Sequence, residues 1–315
     1  MRRYNGTWAY GLEVDKNGNV YVTGSSGTIK YSSDGDSLFF VSRYGYGSDN
    51  LAVDSSENLY IATVLGAIRY SVEGDSLRYS LFGLYRAASL ALDSVGNLYV
   101  AGAIYRETTY SDYITIKYGP DGDTLWVRYY NNIAQIAPAL TIDKSGNVYV
   151  TGSSRDTATL VDYTTIKYSP NGDTLWVRRY NGEANGRDEP SSSDWSGQPL
   201  AVDRSGNVYV TGRSIGTGTF FDYATIKYSP DGDSLWVRRY NGPADSNDFA
   251  NAIAVDDSGN VYVTGISRNI GLASDDIELL NILQMEMSCG SDVMTDQMAG
   301  TEVMPWQLIQ QEMFM

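Results

Sequence analysis

Short apolar runs alternate with polar turns along this chain, and one run keeps returning: Gly-Asn followed by Val-Tyr-Val-Thr-Gly. Copies span residues 18–24, 146–152, 206–212 and 259–265, with worn versions at 57–63 and 96–102. β-Branched and aromatic residues bounded by turn residues predict a strand at each. The central tyrosines Tyr21, Tyr60, Tyr99, Tyr149, Tyr209 and Tyr262 stand 39, 39, 50, 60 and 53 residues apart. Recurrence at that spacing predicts a repeat architecture. It says how the chain folds and names no chemistry.

The fullest copy runs from Leu200 to Tyr240 and holds four strand signals. Leu200-Ala201-Val202 is followed by the turn Arg204-Ser205-Gly206-Asn207, then by Val208-Tyr209-Val210-Thr211. After a variable loop come Tyr223 to Tyr228, the turn Ser229-Pro230-Asp231-Gly232-Asp233, and Leu235 to Tyr240. Asp231-Gly232 supplies the positive φ of a tight hairpin and Pro230 presets its own φ. Asp34-Gly35, Glu73-Gly74, Asp121-Gly122 and Asn171-Gly172 stand at the same place in other copies. Four antiparallel strands per unit predict an all-β protein, a β-propeller of four-stranded blades. A parallel β-helix has no use for two hairpins per unit, and a sandwich would not repeat so faithfully.

The units from Asp162 to Trp176 and from Asp203 to Gly212 resemble the bacterial seven-bladed β-propeller (SBBP) repeat. The resemblance covers roughly residues 2 to 275, with about six blades wholly or partly present. It implies a secreted or cell-surface bacterial protein and brings no catalytic residues.

Composition narrows the function further. The net charge of −15 argues against nucleic acid, because phosphate binding needs a basic surface. There is no histidine, which removes Ser-His-Asp triads, Cys-His pairs and histidine-zinc sites. Cys289 is the one cysteine, so no intramolecular disulfide is possible. No apolar run reaches membrane-spanning length. Arg2-Arg3-Tyr4-Asn5-Gly6 matches residues 178–182 and 238–242, so the chain is expected to open in mid-repeat, as the interior of a longer protein.

The repeat stops near residue 275, and every methionine but Met1 lies in the last 31 residues. Back-translation from Glu278 onward, with the frame moved so that each codon takes the last base of one residue and the first two of the next, restores the repeat. The bases permit Thr-Ile-Lys-Tyr-Ser-Pro-Asp-Gly-Asp-Val-Leu-Trp-Val-Arg-Arg-Tyr. Several positions are forced: Met285-Glu286 gives Gly, Met304-Pro305 gives Ala, Trp306-Gln307 gives Ala and Met313-Phe314 gives Val. The expected organisation is therefore propeller repeats over 1–275 and an out-of-frame tail over 276–315. That tail lacks the period-2 alternation of the repeat strands and is expected not to form a blade. Cys289 and Trp306 then carry no functional weight.

Both tight turns of a blade lie at one end, so all length variation falls at the other, in the loops at 103–111, 153–161, 213–221 and above all Asn181 to Pro199. Loops on a rigid scaffold are where binding concentrates. The candidate contacts are Trp195 beside Asp194, then Arg155, Asp156, Phe220 and Phe221. No catalytic residue, cofactor or metal is expected. The Asp-x-Ser-Gly-Asn turns offer too few oxygens for calcium, and Asp and Asn stabilise such turns themselves. Trp126, Trp176 and Trp236 are expected to pack between blades with arginines over their rings.

The function expected is a monomeric, non-catalytic scaffold that binds a protein or glycan on its loop face. One alternative is a structural spacer in a long surface protein. Another is a glycoside hydrolase, which needs two carboxylates about 5 to 10 Å apart; Asp156, Glu183, Asp188 and Glu189 are eligible.

Overall fold

The structure is a computed structural model, and it describes residues 9–24, 26–42, 50–63, 66–72, 76–80, 84–104, 112–130, 134–155, 160–190, 197–242, 244–268 and 275–282. These form six antiparallel sheets and no helix. The first holds β1 (Ala9–Val14), β2 (Val20–Gly24), β3 (Gly27–Tyr31) and β4 (Ser37–Ser42). The second holds β5 (Leu51–Val53), β6 (Leu59–Thr63), β7 (Gly66–Tyr70) and β8 (Ser76–Ser80). The third holds β9 (Leu84–Leu92), β10 (Leu98–Ile104), β11 (Asp112–Tyr118) and β12 (Thr124–Tyr130), and the fourth β13 (Ala134–Ile142), β14 (Val148–Ser154), β15 (Asp162–Tyr168) and β16 (Thr174–Tyr180). In the fifth, β17 (Asp188–Glu189) and β18 (Leu200–Val202) both pair with β19 (Val208–Ile215), followed by β20 (Phe221–Tyr228) and β21 (Ser234–Tyr240). The sixth holds β22 (Asp248–Val255), β23 (Val261–Arg268) and β24 (Asp275–Ile282).

Each sheet is a blade, and the core lies between blades. Tyr209 packs with Tyr223 of its own blade and with Ile253 and Val263 of the next, while its neighbours Val208 and Val210 point the other way and pack with Tyr149 and Trp176 of the preceding one. Period-2 alternation thus buries both faces of one strand, which is why Val-Tyr-Val reads as a continuous apolar run. The first strands β1, β5, β9, β13, β18 and β22 pack on one another in succession. Leu51, Leu90, Leu140, Leu200 and Ile253 are each at most 8% exposed under the preceding blade, whereas Leu12, at the matching place in β1, is 62% exposed.

The Asp-x-Ser-Gly-Asn turn is a closed hydrogen-bond network. Asp203 Oδ1 accepts from the backbone N–H groups of Ser205 and Asn207, and Oδ2 accepts from Asn207 Nδ2 and the Tyr209 hydroxyl at 3.0 Å. The same pattern recurs at Asp15, Asp54, Asp93, Asp143 and Asp256. These oxygens serve the turn, as residue types that bond their own backbone do.

The Pro-x-Gly turns are held from outside. Trp126 Nε1 donates to the Pro170 carbonyl, Arg128 Nε to that of Gly172 and Arg128 Nη2 to that of Asn171. Trp176 and Arg178 treat Pro230, Gly232 and Asp231 in the same way. The tryptophans do pack between blades and the arginines do lie over them, at 5.7 Å for Arg128 and 5.8 Å for Arg178. The hydrogen bonds to the next blade's turn are a further function of these side chains that the sequence did not reveal.

One expectation is corrected. Residues Asn181 to Pro199 are not one loop: Asp188 and Glu189 pair with Ser214 and Arg213 as β17, because their carboxylates have buried partners. The tail is expected not to form a blade, and its described part is one strand, β24, which pairs with β23 in register from Arg268↔Asp275 to Val261↔Ile282. Ladder hydrogen bonds use backbone groups, so a free strand edge accepts a segment without period-2 alternation. The sequence-predicted strand at Arg2 to Tyr4 and the tail beyond residue 282 lie outside the described residues.

Candidate functional site

The loop face is richest at the fifth blade. In other blades the innermost strand carries a bulge opposite the glycine that ends Val-Tyr-Val-Thr-Gly: the register shifts between Ala9 and Gly11 in β1, Ile136 and Ala139 in β13, and Ala250 and Ala252 in β22. In the fifth blade this irregularity has grown into residues 190–199, which separate β17 from β18. Bulges tolerate extra residues because they already leave one unpaired. The insertion therefore starts and ends on the innermost strand, at the edge nearest the blade axis.

Both of its ends are fixed. At the end, Pro199 O accepts from Thr211 N at 2.9 Å and Gln198 O accepts from Ile253 N at 2.9 Å, which ties it to the sixth blade. At the start, Glu189 is fully buried. Arg187 Nε donates to its Oε1 at 2.7 Å and Arg213 Nε to its Oε2 at 2.7 Å. Arg213 also lies over Phe221 at 4.8 Å and over Phe249 at 5.3 Å. Asp188 N donates to Val161 O of the fourth blade at 2.7 Å.

Four further carboxylates of this face have protein partners, while Glu183 is exposed. Asp162 pairs with Arg179 and Asp222 with Arg239, both at 2.8 Å. Asp188 Oδ2 accepts from Gly182 N and Asp248 Oδ2 from Gly242 N, and Ser267 donates to Asp248 Oδ1. A side chain at either glycine would collide with that aspartate and with Ser214 or Ser267, so the Arg-Tyr-Asn-Gly repeat ends on glycine for steric reasons. Burial pushes Asp188 above the usual carboxylate range, against hydrogen bonds from Ser214 and Gly182 that lower it. Burial likewise raises Asp222, with Arg239 opposing. Among the described residues no group of three or more acidic or cysteine side chains is placed to hold a metal ion.

The predicted contacts divide. Phe221 is part of the Arg213 stack, and Phe220 beside it is 63% exposed on the turn closed by Gly216 N to Phe220 O. Glu189, Arg213 and Phe221 thereby join the base of the insertion to the turn bearing Phe220. Arg155 is exposed after β14, in the neighbouring blade. Trp195, Asp194 and Asp156 lie outside the described residues. Sequence reasoning missed Arg187, Arg213 and Phe249, and weighed Glu189 only as an acid. A signal existed: Arg213 stands where the other copies have Ala103, Ser153 and Ile266.

The family model described as Beta-propeller repeat (SBBP) matches residues 3–28, 175–218 and 235–268. No curated protein matches the chain in sequence. Two solved structures are similar in fold. A protein of unknown function from Bacteroides caccae is 13% identical, with TM-score 0.44 over 75% of this chain and 83% of that one. XC5397 from Xanthomonas campestris, described as a gluconolactonase, is 16% identical, with TM-score 0.46 over 82% of this chain and 84% of that one. No helix of the described residues is long and apolar enough to cross a membrane.

Proposed function

We propose that this chain is a non-catalytic, extracellular or cell-surface propeller that binds a protein or glycan through the loop face of its fifth blade. The observation that carries this reading is the anchored insertion. A tolerated surface loop needs no buried ion pair at its base, yet residues 190–199 leave from Glu189, which two arginines hold in the interior. Fixing the root of a loop removes part of the entropy that binding would otherwise cost. Phe220, on the turn joined to its base through Arg213 and Phe221, supplies exposed apolar area of the kind interfaces bury.

Asp188 and Glu189 are better explained as supports than as catalysts, since each is buried against protein partners and neither is open to a sugar ring. This favours a scaffold over a glycoside hydrolase with its two accessible carboxylates. The test is a glycan array and a pull-down from bacterial surface extract. The full chain is compared with a variant in which residues 191–196 become Gly-Ser and with Phe220→Ser. Specific binding lost in both variants supports the placement, and binding kept by both contradicts it. Hydrolysis of any arrayed glycan by the full chain would overturn the non-catalytic reading.

A further inference from the structure

At the turn end, the third and fourth blades grip the next through one set of side chains, and the same set recurs in the fifth. Arg69, Lys117 and Lys167 reach the carbonyls of Pro120, Pro170 and Pro230 at 3.4, 3.3 and 2.9 Å. The tryptophan and arginine of the third and fourth blades join them, so three consecutive carbonyls of the Pro170 and Pro230 turns meet donors from the preceding blade.

The fifth blade has the same three side chains, Lys227, Trp236 and Arg238, in the same arrangement. Lys227 pairs with Trp236 across the strands and lies 5.1 Å from the Tyr209 ring, as Lys117 lies 5.0 Å from Tyr99. Trp236 meets Tyr209 edge-on at 6.0 Å. Arg238 lies 5.6 Å over Trp236 and donates to its neighbour's carbonyl, Val237 O, as Arg178 does to Val177 O. Yet among the described residues no turn carbonyl meets Lys227 Nζ, Trp236 Nε1 or Arg238 Nε. Trp236 is half-buried where Trp126 and Trp176 are buried. Among the described residues the sixth sheet ends at β24, where the others continue into a turn and a fourth strand.

We propose that Lys227, Trp236 and Arg238 form a receptor for a Pro-x-Gly turn, and that its occupant is the turn and strand encoded in the shifted frame beyond Ile282. The register of β24 is the link. It sets Asn281 opposite Tyr262 and Ile282 opposite Val261, the places where Lys167 meets Tyr149 and Tyr168 meets Val148. In the shifted frame the codon straddling Leu280 and Asn281 permits Lys, and the one straddling Asn281 and Ile282 permits Tyr. Ser, Pro and Asp are permitted next, and then comes the Gly forced by Met285-Glu286. The turn so encoded would begin where β24 ends. Neither fact alone links the reading frame to a site; the register does.

The experiment compares the chain as it stands with one carrying a one-base frame correction at codon 278. Arg178→Ala is expected to lower the melting temperature of both by about 3 °C or more. Arg238→Ala and Trp236→Phe should do the same to the corrected chain and shift the present chain by less than about 1 °C. In the corrected chain the Trp236 indole N–H should exchange with solvent as slowly as that of Trp176, and in the present chain faster. Equal losses from Arg238→Ala in both chains would overturn the proposal, as would fast Trp236 exchange in the corrected one. Should the corrected chain fail to fold, the present chain still decides: Arg238→Ala costing as much as Arg178→Ala refutes an empty receptor. A nucleotide sequence that spells no repeat in the shifted frame removes the occupant.

Discussion

Trp176 Nε1 donates a 3.0 Å hydrogen bond to the carbonyl oxygen of Pro230, 54 residues further along the chain. The bond joins the outermost strand of one blade to the hairpin of the next. Lys167 and Arg178 bind carbonyls of the same turn, so a surface hairpin becomes a structural joint. Its carbonyls would otherwise be satisfied by water, which makes the gain per bond modest but repeated.

Trp176→Phe keeps the ring contact with Tyr228 but removes the donor. It is expected to cost about 1 kcal/mol, with the smaller ring adding to the loss. Urea unfolding of the two proteins measures this, and an unchanged midpoint would show that the bond contributes nothing net.

The joint also constrains glycine. Gly172 and Gly35 occupy equivalent turns at φ +85° and +84°. A Cβ on Gly172 would lie 2.9 Å from the Trp126 ring and 3.0 Å from Arg128, whereas one on Gly35 meets nothing within 4 Å. Gly35→Ala should cost about 1 kcal/mol, for the left-handed backbone alone. Gly172→Ala should cost about 1–3 kcal/mol more, because the clamp must shift. Equal costs in urea titrations would mean the clamp yields freely.

Glu189→Ala leaves Arg213 buried without its carboxylate. The expected loss is about 3–5 kcal/mol, dominated by the uncompensated charge. Replacing Glu189 and Arg213 together by leucine should recover much of it. A double variant as unstable as the single one would show that the pair positions the insertion in some other way.

Stability should depend on pH with two opposed signs. At Asp203 burial favours the neutral form, but hydrogen bonds from the Asn207 side chain and backbone, Tyr209 and Ser205 outweigh it and hold the carboxyl below its ordinary value. The carboxyls of Asp15, Asp93 and Asp256 are lowered in the same way. Their contribution is present above the unfolded value of about 3.9 and is lost as pH falls through the lower folded values. Asp188 and Asp222 are raised, so folding takes up protons there, and stability grows as pH falls from neutral through their folded values toward about 3.9. The urea midpoint should therefore peak on the acid side of neutral and collapse below about pH 4. Asp188→Asn should flatten the upper limb and Asp203→Asn the lower one. A midpoint that falls steadily from pH 7 downward would contradict the raised pair.

The blades were legible because their causes are local. Val208, Tyr209 and Val210 alternate across one strand, Gly206 and Gly232 close its turns, and Asp203 serves atoms within six residues of itself. Such relations are fixed by strand period and turn chemistry before any blade meets another. What the tertiary structure decided was which residue meets which across a blade boundary. Glu189 could be read as an acid from its type alone; only the pairing of β17 with β19 sets it against Arg213 and makes it an anchor. Trp176 could be read as apolar filling; only the position of the next blade puts a carbonyl in front of its indole nitrogen. Leu12 and Leu200 are the same residue in the same repeat position, yet one is exposed and the other buried. Burial belongs to the neighbour, and a repeat sequence describes each unit without stating whether a neighbour is there.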